Sequence, residues 1–207
     1  MENEMEVSEE LMNYNKESLN KLVEEIIGSK DISIVEIPCV DLYMDQVTTF
    51  FNEKLGSLKR NEEDKILTKT MINNYTKGKV LMPAKNKKYT KEHIILLTLI
   101  YNMKQTISIS DINTIFDPII DLKAPKSLKI LLEDLYNDFL DIKEVQNKEF
   151  ARDINKDSEF IKAKINEMGK EDGELIELIL MVLLLINKAN LQKRMAEKLI
   201  DSFFKKE

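Results

Sequence analysis

The sequence predicts a mainly α-helical protein with one small β-hairpin, on three observations. Only 5 Gly and 4 Pro occur in 207 residues, too few turn formers for a loop-rich all-β fold. Leu, Ile, Lys and Glu recur at helical spacing rather than in alternation, which favours helices over strands. Hydrophobic residues at 43% and charged residues at 33% support a packed core and argue against global disorder.

The elements are expected in the following order. A helix runs from about Ser8 to Ile27, with Leu11, Leu19, Leu22, Val23, Ile26 and Ile27 available for one face and Gly28 as its stop. Ser33 to Val40 is a connector. Asp41 caps a helix to Leu55, with Leu42, Val47, Phe50, Phe51 and Leu55 as its apolar stripe, and Gly56 ends it. Ser57 to Asp64 is a charged loop. A short helix covers Ile66 to Thr76 and buries Ile66, Leu67, Met71, Ile72 and Tyr75. Val80 to Tyr89 carries Pro83 and Asn86 and reads as a hairpin or wing. Thr90 caps a helix whose core face uses Ile94, Leu97, Ile100 and Tyr101. Ser108 or Ser110 caps another helix to about Ile115. Pro118 and Pro125 bracket a connector, and three helical patterns follow, at Ser127–Val145, Ser158–Met168 and Glu174–Phe204.

Several functions are excluded or disfavoured. The single cysteine, Cys39, rules out a disulfide framework or a Cys-based zinc site within one chain, and its setting beside Pro38 and Val40 predicts a small buried hydrophobe. The acidic start of the chain lacks the order of a signal peptide. The longest apolar run, Leu178 to Ile186, is too short to span a bilayer. A cytoplasmic protein with no membrane association is expected. His93, the one histidine, sits near a helix start and reads as a surface or capping residue rather than a catalytic base. Asp41 with Asp45, and Asp134 with Asp138 and Asp141, read as solvated helix faces rather than cation sites. No phosphate-cradling glycine motif occurs. No enzyme activity, catalytic residue, metal or cofactor is expected.

Charge is unevenly distributed. The chain carries a net charge of −6, yet Lys54 to Lys91 holds eleven Lys/Arg against three acids, and residues 1–36 hold ten acids against three Lys. A basic middle between acidic flanks is a statement about partners. With Ile66, Met71, Ile72 and Tyr75 facing in, Thr68, Lys69, Asn73 and Asn74 are left outward on the short helix, where such side chains can approach base edges. Lys65, Lys77, Lys85, Lys87, Lys88 and Tyr89 would hold phosphates.

The order of helix, loop, short helix, Pro-containing turn, basic hairpin, helix and Ser-capped helix resembles the winged helix-turn-helix of the MerR family. Residues 71–112, MINNYTKGKVLMPAKNKKYTKEHIILLTLIYNMKQTISISDI, carry the likeness. Tyr75, Leu81, Pro83, Tyr89, Thr90 and the stretch Ser108 to Ile112 fall where that family places its own. Asn73 and Asn74 stand in place of the family's arginine and tyrosine, Lys79 in place of its glycine, and Lys85-Asn86 in place of a Gly-Tyr. The stretch Ile37 to Ile94 is also similar to the bacterial domain of unknown function 1836, with the likeness continuing to about Phe139. That second resemblance implies placement and no activity.

Together these readings give a mainly α fold: an acidic N-terminal helix and connector over residues 1–40, a MerR-like winged helix-turn-helix with a small wing over 41–117, and an all-helical C-terminal bundle over 118–207. The expected function is a sequence-specific transcriptional regulator that binds double-stranded DNA as a homodimer. Leu175–Ile186 is apolar on nearly every face, so it forms either the centre of the bundle or a dimer seam. The alternatives are a protein-interaction adaptor that keeps the winged fold without DNA binding, and a small-molecule-sensing regulator that uses the C-terminal helices.

Overall fold

The computed structural model describes residues 16–29, 31–120, 127–168 and 173–205. Among them are seven α-helices and one two-stranded antiparallel sheet: α1 (Lys16–Ile27), β1 (Leu42–Tyr43), α2 (Met44–Leu55), α3 (Lys69–Lys77), β2 (Lys88–Tyr89), α4 (Lys91–Met103), α5 (Ile109–Ile120), α6 (Ser127–Met168) and α7 (Gly173–Phe203). The start of the first expected helix, residues 8–15, lies outside the described residues, as does Pro125. Among the described residues no helix is long and apolar enough to cross a membrane.

The chain divides into two compact units, Lys30–Ile142 with Lys193–Glu207, and Met1–Ser29 with Lys143–Gln192. The first has α4 at its centre. Every residue from His93 to Tyr101 is buried, so α4 is covered on all sides. Val47, Phe51 and Leu55 of α2, Ile72 and Tyr75 of α3, Ile112 and Phe116 of α5, and Leu132 and Tyr136 of α6 build the same core. Ile32 and Ile37 of the connector join it. The fully buried Tyr136 donates its hydroxyl proton to the Ile32 carbonyl, which ties the start of the unit to α6. Burial pushes the Tyr136 pKa well above the usual phenol value. Glu36 closes a short turn onto Ser33 (2.9 Å) and accepts from Lys54 of α2 (2.8 Å). The Lys54 ammonium, with the Ser33 donors, lowers the Glu36 carboxyl pKa to about 2.

In the second unit, Leu19 and Val23 of α1, Ile154, Ile161 and Ile165 of α6, and Met181 of α7 form a separate core. The α6–α7 packing also buries one polar contact, in which Ser158 donates to Glu177 (2.9 Å).

Five expectations are corrected. Asp41 does not cap α2: β1 intervenes, Tyr43 is the cap residue, and its backbone N–H donates to Gln46 Oε1 (2.8 Å). The short helix begins at Lys69, and Ile66 and Leu67 reach the core from the loop ahead of it. Helix α5 continues past Ile115 and through Pro118 to Ile120, with Ser108 Oγ accepting from the Asp111 N–H (3.1 Å). The two expected helices within residues 127–168 are one, because residues 146–157 contain no Gly or Pro and still bury Ile154. Cys39 is exposed, because the connector buries Ile37 and turns the cysteine outward.

Candidate nucleic-acid interface

The candidate surface is built by α3 and the segment that follows it. Thr68 Oγ1 accepts from the Met71 N–H (3.1 Å) and so starts α3 as its N-cap. Ile72 and Tyr75 turn inward. The helical period then leaves Lys69, Thr70, Asn73, Asn74 and Lys77 as one exposed stripe. Helix α3 closes in a Schellman arrangement. The Lys79 N–H bonds the Thr76 carbonyl (3.1 Å), the Val80 N–H bonds the Tyr75 carbonyl (2.9 Å), and Lys79 takes the left-handed conformation (φ 59°). Glycine is the residue that suits that position.

Val80 and Leu81 then dive into the core, and the chain returns to the surface at Pro83. The wing tip is a two-residue turn. Lys85 and Lys88 exchange both backbone hydrogen bonds at 3.0 Å, with Asn86 at φ 52° and Lys87 at φ 64°. Two successive positive φ values define a type I′ turn, which matches the twist of its flanking strands. Residues Lys88–Tyr89 pair with Leu42–Tyr43 rather than with a strand of the wing alone, so the wing is anchored to the start of α2.

His93 secures the wing from beneath. Its Nδ1 accepts from the Thr90 N–H (3.1 Å), and its Nε2 lies 3.4 Å from the Pro83 carbonyl oxygen. With Nδ1 an acceptor, Nε2 holds the proton and donates to Pro83. The ring is buried and meets Tyr89 edge to face, 5.5 Å between centroids. Burial lowers the His93 pKa, against the opposing pull of the Pro83 carbonyl and Glu92. The expected capping role is observed, but the residue is interior rather than at the surface. Lys104 pins the loop ahead of α3 to α4 by donating to the Ile66 carbonyl (3.1 Å) while lying over the Tyr101 ring at 4.9 Å.

The wing and the exposed α3 stripe meet at one end of α2. The Lys88 ammonium lies 5.1 Å from the Tyr43 ring centroid, and Lys69 pairs with Asp45 two residues further on. Both partners of the Lys69–Asp45 pair are largely solvent-exposed, so it contributes little to stability. Of the eleven basic residues from Lys54 to Lys91, three are in ion pairs among the described residues: Lys54 with Glu36, Lys69 with Asp45 and Lys91 with Glu133. Lys65, Lys77, Lys79, Lys85 and Lys87 are exposed.

The sequence-expected residues therefore divide. Asn73, Asn74, Lys77, Lys85 and Lys87 are exposed, and Lys88 is half-buried. Thr68 is engaged as the cap, and Thr70 occupies the stripe in its place. Tyr89 is buried in the core. Tyr43, half-exposed beside Lys88, escaped sequence reasoning because it was read as lying inside a helix. A threonine directly ahead of Lys-Thr-Met was the available signal for Thr68 as the cap.

The acidic residues Asp41, Asp45, Asp134, Asp138 and Asp141 are all exposed. Among the described residues, no group of three or more His, Cys, Asp or Glu is arranged to hold a metal ion. An open cleft of about 730 Å³ lies in the second unit, with Phe150, Ile154 and Leu185 beside Glu149, Asp153 and Lys188.

These features define a mainly α protein with a capped basic helix, a type I′ wing and a two-stranded tie. Residues 32–139, just over half the chain, match the family model described as domain of unknown function, DUF1836, and the chain belongs to that family. No curated protein and no solved structure matches it.

Proposed function

We propose that residues 41–117 form a MerR-like winged helix-turn-helix and that the protein is a sequence-specific DNA-binding regulator. The observation that carries this reading is the joining of the α3 stripe to the wing at the start of α2, through Lys69–Asp45 and Lys88–Tyr43. In this reading Thr70, Asn73 and Asn74 approach base edges, where an asparagine amide can pair with adenine. Lys77, Lys85 and Lys87 hold phosphates, which position the helix without reading sequence. Tyr89 and His93 support the wing from the core, and Thr68 sets the first turn of the reading helix.

The test is selection from a random-sequence pool of duplex DNA. The wild type is expected to enrich one motif. Asn73→Ala with Asn74→Ala is expected to retain duplex binding while the enrichment broadens or disappears. A wild-type pool indistinguishable from the input would overturn sequence-specific reading.

The Asp45 carboxylate on Lys69 favours a second reading, a protein-interaction adaptor, because an acid at the reading helix opposes phosphate approach. In that reading Asp45→Asn leaves DNA binding undetectable. In the DNA reading it strengthens binding.

A further inference from the structure

The α7 helix is apolar on two opposite sides, and among the described residues one of them is covered. Met181, Leu184 and Leu185 face the core of their unit. On the other side Leu175, Ile179, Val182, Leu183 and Ile186 remain 47%, 51%, 52%, 56% and 53% exposed. Leu175, Ile179, Val182, Ile186 and Ala189 follow one another at intervals of four, three, four and three residues. That 3.5-residue repeat is the seam of a coiled coil, and a helix with the same period is what packs against it.

We infer that this stripe pairs with the same stripe of a second copy of the chain. Two features select that occupant over a foreign surface. A two-fold interface lays a patch on its own copy, so a patch carrying charge of one sign would repel itself. The five seam positions, Leu175, Ile179, Val182, Ile186 and Ala189, carry no charge; Glu177 within the span is buried on the opposite side. The extent is also adequate. Five half-exposed large aliphatic side chains on adjoining turns reach the few hundred Å² at which monomer surfaces normally stop. Two such patches with their rims approach about 1,000 Å², where specific interfaces begin. The spacing puts Ile179 and Ile186 at the a positions, where in a parallel pair a β-branched side chain combined with a leucine at d, as at Leu175, favours two strands. The pairing does not depend on DNA binding, and its test uses no nucleic acid.

Sedimentation equilibrium of the full chain at tens of micromolar is expected to give twice the 24.1 kDa chain mass. Ile179→Glu with Ile186→Glu is expected to give the single-chain mass, with self-association weakened at least about a hundredfold and helical circular dichroism retained. Both side chains already face solvent in one copy, and glutamate is a good helix former. Val182→Cys in a Cys39→Ser background places one thiol at the middle of the seam, where two copies bring it together in either helix direction. Mild oxidation is expected to convert that variant to a covalent dimer. This second variant decides the matter if the double-glutamate chain fails to fold. A wild-type chain that sediments as a monomer, including one that binds vesicles or another protein instead, would overturn the inference. So would a double-glutamate dimer, or no crosslink through Val182→Cys.

Discussion

Helices α4 and α7 carry similar sequence signals and differ in what covers them. Each has an apolar run with no clear polar face, KEHIILLTLIYNM in α4 and LIELILMVLLLI in α7. In α4 the residues from His93 to Tyr101 are all buried under α2, α3, α5 and α6. In α7, within the same span of apolar residues, Met181 is buried while its neighbours Val182 and Leu183 stand half in solvent. An all-round apolar helix therefore states how much cover is needed and not where that cover comes from. Among the described residues α4 is covered all round and α7 is not.

The largest expected effect sharpens that contrast. Leu97→Ala, at a fully buried site, should cost about 2–5 kcal/mol by urea unfolding, because the closed core leaves a cavity. Leu183→Ala in the Ile179→Glu/Ile186→Glu chain should cost less than about 1 kcal/mol, since that side chain already faces water. Equal costs would break the comparison.

Next in size is Tyr136→Phe, which strands the Ile32 carbonyl in the α4-centred core. The expected loss is about 1–3 kcal/mol, read from the same unfolding curve.

His93→Ala removes both the Thr90 capping contact and the Pro83 tie, with an expected loss of about 1–2 kcal/mol. The pH dependence carries a sign. Burial holds the folded His93 pKa below the ordinary histidine value of 6.5. Below that pH the unfolded chain takes up a proton that the folded chain resists. The contribution is therefore fully present above pH 6.5 and is lost as pH falls through and below it. The thermal midpoint of the wild type should drop over that window, and His93→Ala should flatten the drop.

The smallest effect is a gain. Lys79→Gly relieves the left-handed residue at the end of α3 and should raise stability by about 1 kcal/mol in urea unfolding. No change would mean that the Schellman arrangement carries no strain at Lys79.

The sequence made α4 legible because Thr90 caps it and the apolar residues after it are dense. The α3 helix was legible in outline, but its start was not. Ile66 and Leu67 are as apolar as helix-face residues, and only the cap geometry shows that they reach the core from a loop. Strand β1 was hidden because two residues make no periodic pattern, and their partner lies in the wing, far along the chain. The continuity of α6 was hidden because residues 146–157 are mostly polar, which resembles a break when no glycine or proline is required to confirm one. At the candidate site Asn73, Asn74, Lys77, Lys85 and Lys87 were readable from helical period and turn chemistry. Tyr43, Asp45 and Thr70 were not, since their placement depends on how α2 meets the wing.

Salt dependence of binding tests most directly the proposal that the stripe and wing take duplex DNA. Fluorescence anisotropy of a labelled duplex across a salt series should give an affinity that falls linearly on a log–log plot, as counterions released by lysine–phosphate contacts require. Lys85→Ala with Lys87→Gly removes two wing charges while keeping the type I′ backbone, and should reduce the slope by about 1.8. A slope unchanged by that pair, or no binding at low salt, would contradict the account.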